Sequence, residues 1–123
     1  MTIKSISAKD TFTVRHPVLR PDRPIEDCWF ELDNHASSLH LGMEFNGESI
    51  AVLSALPIKC ENFPNLMSMR LRGIATLHAF QKKGLGSQLM IEVEKRLLKL
   101  KKIKLLWLNA RISACLLYTS PSP

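Results

Sequence analysis

The sequence predicts an α/β (α+β) domain with a mixed, mostly antiparallel sheet flanked by helices. Two strand-like segments, Leu39–Phe45 and Ser49–Leu56, flank Asn46-Gly47, a dipeptide that accepts the positive φ angles of a type I′ hairpin turn. A third alternating segment, Met67–Thr76, leads through a glycine-containing turn into helix-spaced apolar residues over Gly84–Leu100. A hairpin joined to a strand-helix-strand unit gives a sheet that is antiparallel at one end and parallel at the other.

The remaining elements complete the order β-α-(α)-β-β-β-α-β. Ile3–Ala8 alternates apolar and polar residues like an edge strand, and Thr11–Leu19 predicts a short helix with Asp10 as its N-cap. Ile25–Leu32 predicts a further helical turn. Ile103–Asn109 is the last predicted strand, delivered parallel to Met67–Thr76 by a right-handed crossover.

Periodicity also predicts which residues are buried. Along the third strand, one face is expected to carry Met67, Met69, Leu71, Gly73 and Ala75. The long helix is expected to bury Leu85, Leu89, Val93, Leu97 and Leu100, and to pair Glu92 with Arg96 on its exposed side.

Composition narrows the class of protein. The chain has 123 residues, of which 46% are apolar, enough for one domain with a single core. There is no apolar run of 18 residues and no signal-like core in the first ten, so we expect no membrane span and a cytoplasmic location. The three cysteines have no CxxC spacing, which predicts neither a metal site nor a disulfide framework.

The turn between Thr76 and the long helix has the composition of an anion site. The first turn of a helix leaves backbone N–H groups unpaired at the positive end of the helix dipole. Gly84 and Gly86 let an anion approach this backbone, Lys82 and Lys83 supply countercharge, and Ser87 adds a hydroxyl donor. The pattern therefore predicts a pyrophosphate site, although glycines at this spacing also occur as simple turn residues.

Two standard phosphate loops do not fit. A nucleotide triphosphate loop needs a lysine directly after its last glycine, where this chain has Ser87. A dinucleotide fingerprint needs a glycine or alanine three residues after Gly86, where this chain has Leu89. What remains is the pattern Gln-x-x-Gly-x-Gly, five residues after the strand ends.

That pattern, after a strand ending in Ile-Ala-Thr and before an amphipathic helix, resembles the acetyl-coenzyme A motif of the GNAT acyltransferase superfamily. Arg15-His16-x-Val18-Leu19-Arg20-Pro21 is similar to the first helix of its small bacterial members. The resemblance implies a single acyl-CoA-binding domain over residues 1–114. It implies an N-acetyltransferase that moves an acetyl group from acetyl-CoA to a primary amine of a small molecule or peptide by direct attack, without a metal.

The resemblance also implies roles for individual residues. The pantetheine arm would enter between the two parallel strands, and a strand N–H would polarise the thioester carbonyl. Tyr118 would protonate the leaving thiolate, and Asn109 would orient pantetheine or acceptor. An alternative interpretation of Tyr118 is a tyrosine in a tail without a role. The implied cofactor-binding residues are Ile74, Ala75, Thr76, Gln81, Lys82, Lys83, Gly84, Leu85, Gly86, Ser87 and Asn109.

The C-terminal segment departs from the family pattern. Family members continue through a further helix and two strands, whereas residues 115–123 read as an atypical tail that ends in Ser-Pro-Ser-Pro. We therefore expect an exposed sheet edge along Ile103–Asn109, which a homodimer could cover.

The sequence identifies neither the catalytic base nor the amine acceptor. Where some family members place a carboxylate on the fourth strand, this chain has Arg70 and Arg72. Arg72 either binds a carboxylate of the acceptor or is a charged residue on the solvent face of the strand. The reserve bases are Glu44, Glu48, Glu61 and His78.

Two other functions stay as alternatives. One is an acyl-CoA-binding domain without activity. The other is a nucleic-acid-binding domain, suggested by the net charge of +6. Nucleic acid is disfavoured because the basic cluster at Lys95–Lys104 has no interleaved aromatic residues and is more typical of a solvated face.

Overall fold

The computed structural model describes residues 1–61, 63–100, 103–109 and 115–119. Within these ranges six strands form one sheet in the order β1-β2-β3-β4-β5-β6, in which only the β4–β5 pair is parallel. The elements are β1 Thr2–Ser5, α1 Phe12–Leu19, β2 Leu39–Phe45, β3 Glu48–Leu56, β4 Ser68–Thr76, α2 Leu85–Leu98, β5 Leu105–Asn109 and β6 Cys115–Thr119, with short 3₁₀ turns at Lys9–Thr11, Ile25–Cys28 and His78–Phe80. The predicted fold class is confirmed, and β6 is a strand that the predicted order did not contain.

The β2–β3 hairpin forms as predicted. β2 has the predicted bounds, and both turn residues, Asn46 and Gly47, adopt positive φ angles of 54° and 82°. These are the angles that a two-residue hairpin turn requires, and the turn sets the register of the first two pairs, Phe45–Glu48 and Glu44–Ser49. A bulge then shifts the register, so that Met43 pairs with Ala51.

The first helix begins later than predicted, and Asp10 does not cap it. Residues Lys9–Thr11 form a 3₁₀ turn, and α1 follows from Phe12 without a side-chain cap. Instead the Asp10 N–H donates to the Ser7 hydroxyl at 3.1 Å. This bond satisfies the N–H of Asp10 itself, and the N-cap residue of α1 is Thr11, which makes no side-chain capping bond.

The third predicted strand does not keep one face buried throughout. Met69 and Leu71 pack into the core beneath α2, whereas Ala75 packs with Val14 on the opposite side of the sheet. The register slips here: Val52 pairs with Ala75 and Ser54 with Arg72. β4 therefore carries one extra residue, at a bulge around Gly73 whose φ is +65°.

The main core lies between the sheet and α2. Leu85, Leu89, Val93 and Leu97 are all buried as predicted, and Arg96 donates to Glu92 at 2.8 Å. The prediction for Leu100 is wrong: α2 ends at Leu98 and the Leu100 side chain is 59% exposed.

The expected exposed edge along the fifth strand is also wrong. β6 pairs antiparallel with the whole of β5, from Leu105 opposite Thr119 to Asn109 opposite Cys115. The apolar, aromatic and β-branched composition of Cys115–Thr119 suits a strand. The homodimer prediction can no longer rest on an exposed β5 edge, and it stays a prediction.

Candidate functional site

The parallel strands β4 and β5 separate after three residue pairs. Their pairing runs from Ser68–Leu105 to Arg70–Trp107, while β4 continues on its other side to pair Thr76 with Ala51 of β3. Within the described part of the chain, no strand pairs with the β5 side of β4 from Leu71 to Thr76. We call this segment the open edge of β4. It presents backbone donors and acceptors that an extended ligand can use.

The open edge leads to the start of α2. The first intrahelical backbone bond is donated by the Gln88 N–H to the Gly84 carbonyl at 3.1 Å. The N–H groups of Leu85, Gly86 and Ser87 precede it, so helix geometry leaves them without intrahelical acceptors. A Cβ placed on Gly86 would lie 3.6 Å from Cγ2 of Ile74, which shows that the helix start is adjacent to the open edge.

The loop before α2 has an unusual backbone that explains its glycine. Gly84 has a φ of +76° and Lys82 a φ of +64°, a conformation that costs energy for most residues. A Cβ on Gly84 would meet nothing within 4 Å, so the loop faces open space. Here the glycine serves backbone conformation and leaves room for an anion above the helix.

Except for Asn109, the residues predicted to bind the cofactor lie together. Ile74, Ala75 and Thr76 lie on the open edge, and residues 81–87 form the turn at its end. The Gln81 amide donates to the Thr76 carbonyl at 2.9 Å, so this side chain joins the loop to the strand end. Leu85 is buried in the core, which leaves only its backbone for a ligand. The side chains of Lys82, Lys83 and Ser87 are exposed.

The two predicted catalytic residues lie on the far strands. Asn109 is the last residue of β5, and Tyr118 in β6 pairs with Leu106. Only their backbone positions are described, and their proposed roles stay predictions.

Two of the reserve bases, Glu44 and His78, already have polar partners. Glu44 is ion-paired with Lys4 at 2.7 Å. His78 is exposed, and its Nδ1 lies 3.3 Å from the Gln81 amide nitrogen. Over the described ranges, no cluster of three or more His, Cys, Asp or Glu residues could hold a metal ion, and no helix is long and apolar enough to cross a membrane.

A buried polar network that the sequence analysis missed lies on the opposite face of the sheet, under α1. Arg15 is 1% exposed and donates two bonds to the Asp33 carboxylate, at 2.7 and 3.1 Å. It also donates to the Cys28 carbonyl and to Ser54 Oγ. His40 joins the network through Ser54 Oγ at 2.6 Å and the Asp33 carbonyl at 2.8 Å. These partners engage both terminal nitrogens of a charge that would otherwise be costly to bury, while the buried Arg15 Nε has no hydrogen-bond partner among the described residues.

Arg70 and Arg72 lie on this same face of β4, between the network and Trp107. Arg70 stacks 5.3 Å from the Trp107 ring and Arg72 stacks 4.4 Å from the Phe30 ring. Neither guanidinium has a hydrogen-bond acceptor or ion-pair partner among the residues described, and Arg70 Nε is buried. Burial, and then the charges of Arg70, Arg20 and Arg15, lower the pKa of Arg72. Arg70 and Arg72 are therefore two neighbouring positive charges without an anionic partner in the described part of the chain.

Comparison with known proteins agrees with this geometry. The sequence matches the acetyltransferase (GNAT) family over residues 5–120. This chain belongs to the GNAT family. The uncharacterized N-acetyltransferase YitI of Bacillus subtilis (strain 168) is 34% identical to it over 111 residues, which are 90% of this chain and 74% of YitI. The chain is accordingly a GNAT-type N-acetyltransferase.

Solved structures share the GNAT fold at low sequence identity. The aminoglycoside antibiotic 6′-N-acetyltransferase AAC(6′)-IG from Acinetobacter haemolyticus superposes with a TM-score of 0.71 at 20% identity, over 91% of this chain and 81% of that one. An aminoglycoside 6′-N-acetyltransferase complexed with coenzyme A gives a TM-score of 0.68 at 13% identity, over 88% and 61% of the two chains.

Proposed function

We propose that this GNAT protein transfers the acetyl group of acetyl-CoA to the primary amine of a small molecule that also carries an anionic group. The observation that supports it best is the continuous path from the open edge of β4 to the unpaired N–H groups at the start of α2. The pantetheine amides of acetyl-CoA match the backbone groups of the open edge, and its pyrophosphate matches the helix start. Residues present at both ends fit this ligand.

The chain's own groups divide the work of the reaction. The N–H groups of Leu85, Gly86 and Ser87 would bind pyrophosphate oxygens, with Lys82 and Lys83 as countercharge. A backbone N–H of the open edge, such as that of Ile74, would donate to the thioester oxygen as negative charge develops there. The neutral amine nitrogen bonds to the carbonyl carbon and the carbon–sulfur bond breaks. The nitrogen then loses one proton to water, and the departing thiolate takes one proton. Tyr118 is proposed as its donor, since the ordinary pKa of tyrosine, about 10, keeps it protonated at neutral pH.

The anionic group follows from the arginines on the α1 side. Charged side chains that are half-buried without counter-ions are costly, and they cluster at binding sites for that reason. Arg72 and Arg70 share one strand face two residues apart. A carboxylate or phosphate on the acceptor would supply the missing charge and accept bidentate hydrogen bonds from a guanidinium.

The proposal is tested by thiol release from acetyl-CoA with β-alanine and β-alaninamide, which differ only in the carboxylate. We expect faster turnover of β-alanine, and a KM for it that rises roughly tenfold or more in Arg72→Met. The control, Arg23→Met, removes an exposed arginine 3.5 Å from Asp27 and should leave both rates unchanged.

Three results would count against the proposal in different ways. Equal turnover of the two amines would reject the anionic acceptor alone. Acetyl-CoA binding without turnover of any amine in a broad panel would favour the inactive acyl-CoA-binding alternative. Salt-sensitive binding of oligonucleotides with no affinity for acetyl-CoA would favour the nucleic-acid alternative.

A further inference from the structure

The Phe30 ring contacts two guanidinium groups that differ in burial and in hydrogen bonding. Arg15 stands 4.0 Å from the ring centroid and Arg72 stands 4.4 Å from it. Arg15 is buried, and its two terminal nitrogens are engaged with Asp33, Cys28 and Ser54. Arg72 is half-buried and has no acceptor in the described part of the chain. Both guanidinium groups contact the ring, but only Arg15 has hydrogen-bond acceptors in the described part of the chain.

Phe30 itself has little freedom to move. Its N–H donates to Asp33 Oδ2 at 2.8 Å, and its carbonyl accepts the Asp33 N–H at 3.0 Å. The same Asp33 carboxylate holds Arg15. On the sheet side, a Cβ on Gly73 would lie 2.8 Å from Phe30 Cε2, so the bulge glycine makes room for the ring. The ring is fixed by backbone, by a buried ion pair and by packing.

From this stack we infer that Phe30 is a positioning residue that sets acceptor specificity by holding Arg72 ready for the anionic group. The inference rests on the proposed function, in which Arg72 binds that group. A guanidinium stacked on an aromatic face keeps its N–H edge free for a carboxylate. Because the ring already restricts the arginine rotamers, less side-chain entropy is lost when the anion binds.

The variants that test this are Phe30→Leu and Phe30→Tyr, with Phe12→Leu as the matched control. Leucine keeps an apolar side chain but removes the ring, and tyrosine restores it. Phe12 also lies near Arg15, at 6.0 Å, but it makes no stacking contact with Arg72. Loss of the ring should raise the KM for β-alanine roughly three- to thirtyfold. The kcat, the KM for β-alaninamide and the Kd for acetyl-CoA should stay within about twofold.

A second readout does not depend on turnover. The Nε–H signal of Arg72, assigned by its loss in Arg72→Met, is followed by NMR while sodium malonate is added as a dianionic probe. Phe30→Leu should shift this signal and weaken its malonate response to the same extent as the change in KM, and Phe30→Tyr should restore both.

The outcomes separate the two proposals. Absence of turnover with every amine would reject the proposed function, while the malonate titration would still decide the role of Phe30. An unchanged malonate affinity in Phe30→Leu would overturn the inference, whatever the activity. So would an equal rise in KM for β-alanine and β-alaninamide, or the same loss in Phe12→Leu, because these are the marks of general destabilisation.

Discussion

The two faces of the sheet are built on different principles. The face under α2 is an apolar core, formed around Leu89, Val93 and Leu106, and the proposed cofactor site beside it uses backbone N–H groups. The face under α1 has a small apolar cluster around Val14 and a buried network centred on Arg15 and Asp33. Apolar packing tolerates many sequences, whereas a buried charge needs each of its partners. The α1 face should therefore be the more sensitive to single substitutions.

The largest expected effect comes from removing the acid of the buried pair. Asp33→Ala leaves the Arg15 guanidinium without its counter-ion and should cost about 3–5 kcal/mol of unfolding free energy. The comparison is Asp27→Ala, whose carboxylate is 40% exposed and lies 3.5 Å from Arg23. That change should cost no more than about 1 kcal/mol. Urea unfolding measures both, and equal costs would show that the network does not stabilise the α1 face.

The next effect separates two glycines with similar backbone angles. Gly73→Ala places a methyl group 2.8 Å from Phe30 in addition to the strain of its positive φ, and should cost roughly 2–4 kcal/mol. Gly84→Ala meets no atom within 4 Å, so only backbone strain of about 1–2 kcal/mol applies. A greater loss of stability in Gly84→Ala than in Gly73→Ala would contradict the packing role given to Gly73.

The smallest effect belongs to the surface of α2. The hydrogen bond from Arg96, followed by nearby positive charges, lowers the pKa of Glu92 below its usual value. The stabilisation is therefore present above the unfolded-state pKa and is lost as the pH falls through the folded-state pKa. Glu92→Gln should lower the Tm slightly at pH 7 and not at all in strong acid. Thermal unfolding is measured from pH 7 to strong acid. A Tm difference between wild type and Glu92→Gln that grew as the pH fell would contradict the prediction.

What could be predicted from the sequence was local. The Asn46-Gly47 turn and the Gly84 turn depend on backbone angles that neighbouring residues determine, and both occur as predicted. The buried helix positions up to Leu97 follow from periodicity, but Leu100 lies past the end of the helix.

The missed features depend on contacts between distant parts of the chain. Arg15 meets Asp33 from 18 residues away and Ser54 from 39 residues away, and no spacing rule links them. The mid-strand Gly73 does indicate a bulge or a close approach, and the structure has a bulge there. What periodicity could not show is that the buried face of β4 changes at this bulge. β6 was missed because its apolar residues precede a Ser-Pro segment typical of a tail.

The central claim is that acetyl-CoA binds between the open edge of β4 and the start of α2. Isothermal titration of acetyl-CoA into Gly86→Leu and Gln88→Leu tests it most directly. A leucine Cβ at position 86 has an ordinary contact with Ile74, 3.6 Å away, so the fold should accept it, while the side chain would block the approach of an anion. Position 88 is exposed and lies about 200° further around the helix.

The account predicts at least a thirtyfold weaker affinity, roughly, for Gly86→Leu and a change of no more than about threefold for Gln88→Leu. Wild-type affinity in a folded Gly86→Leu protein would contradict the claim and place the cofactor elsewhere.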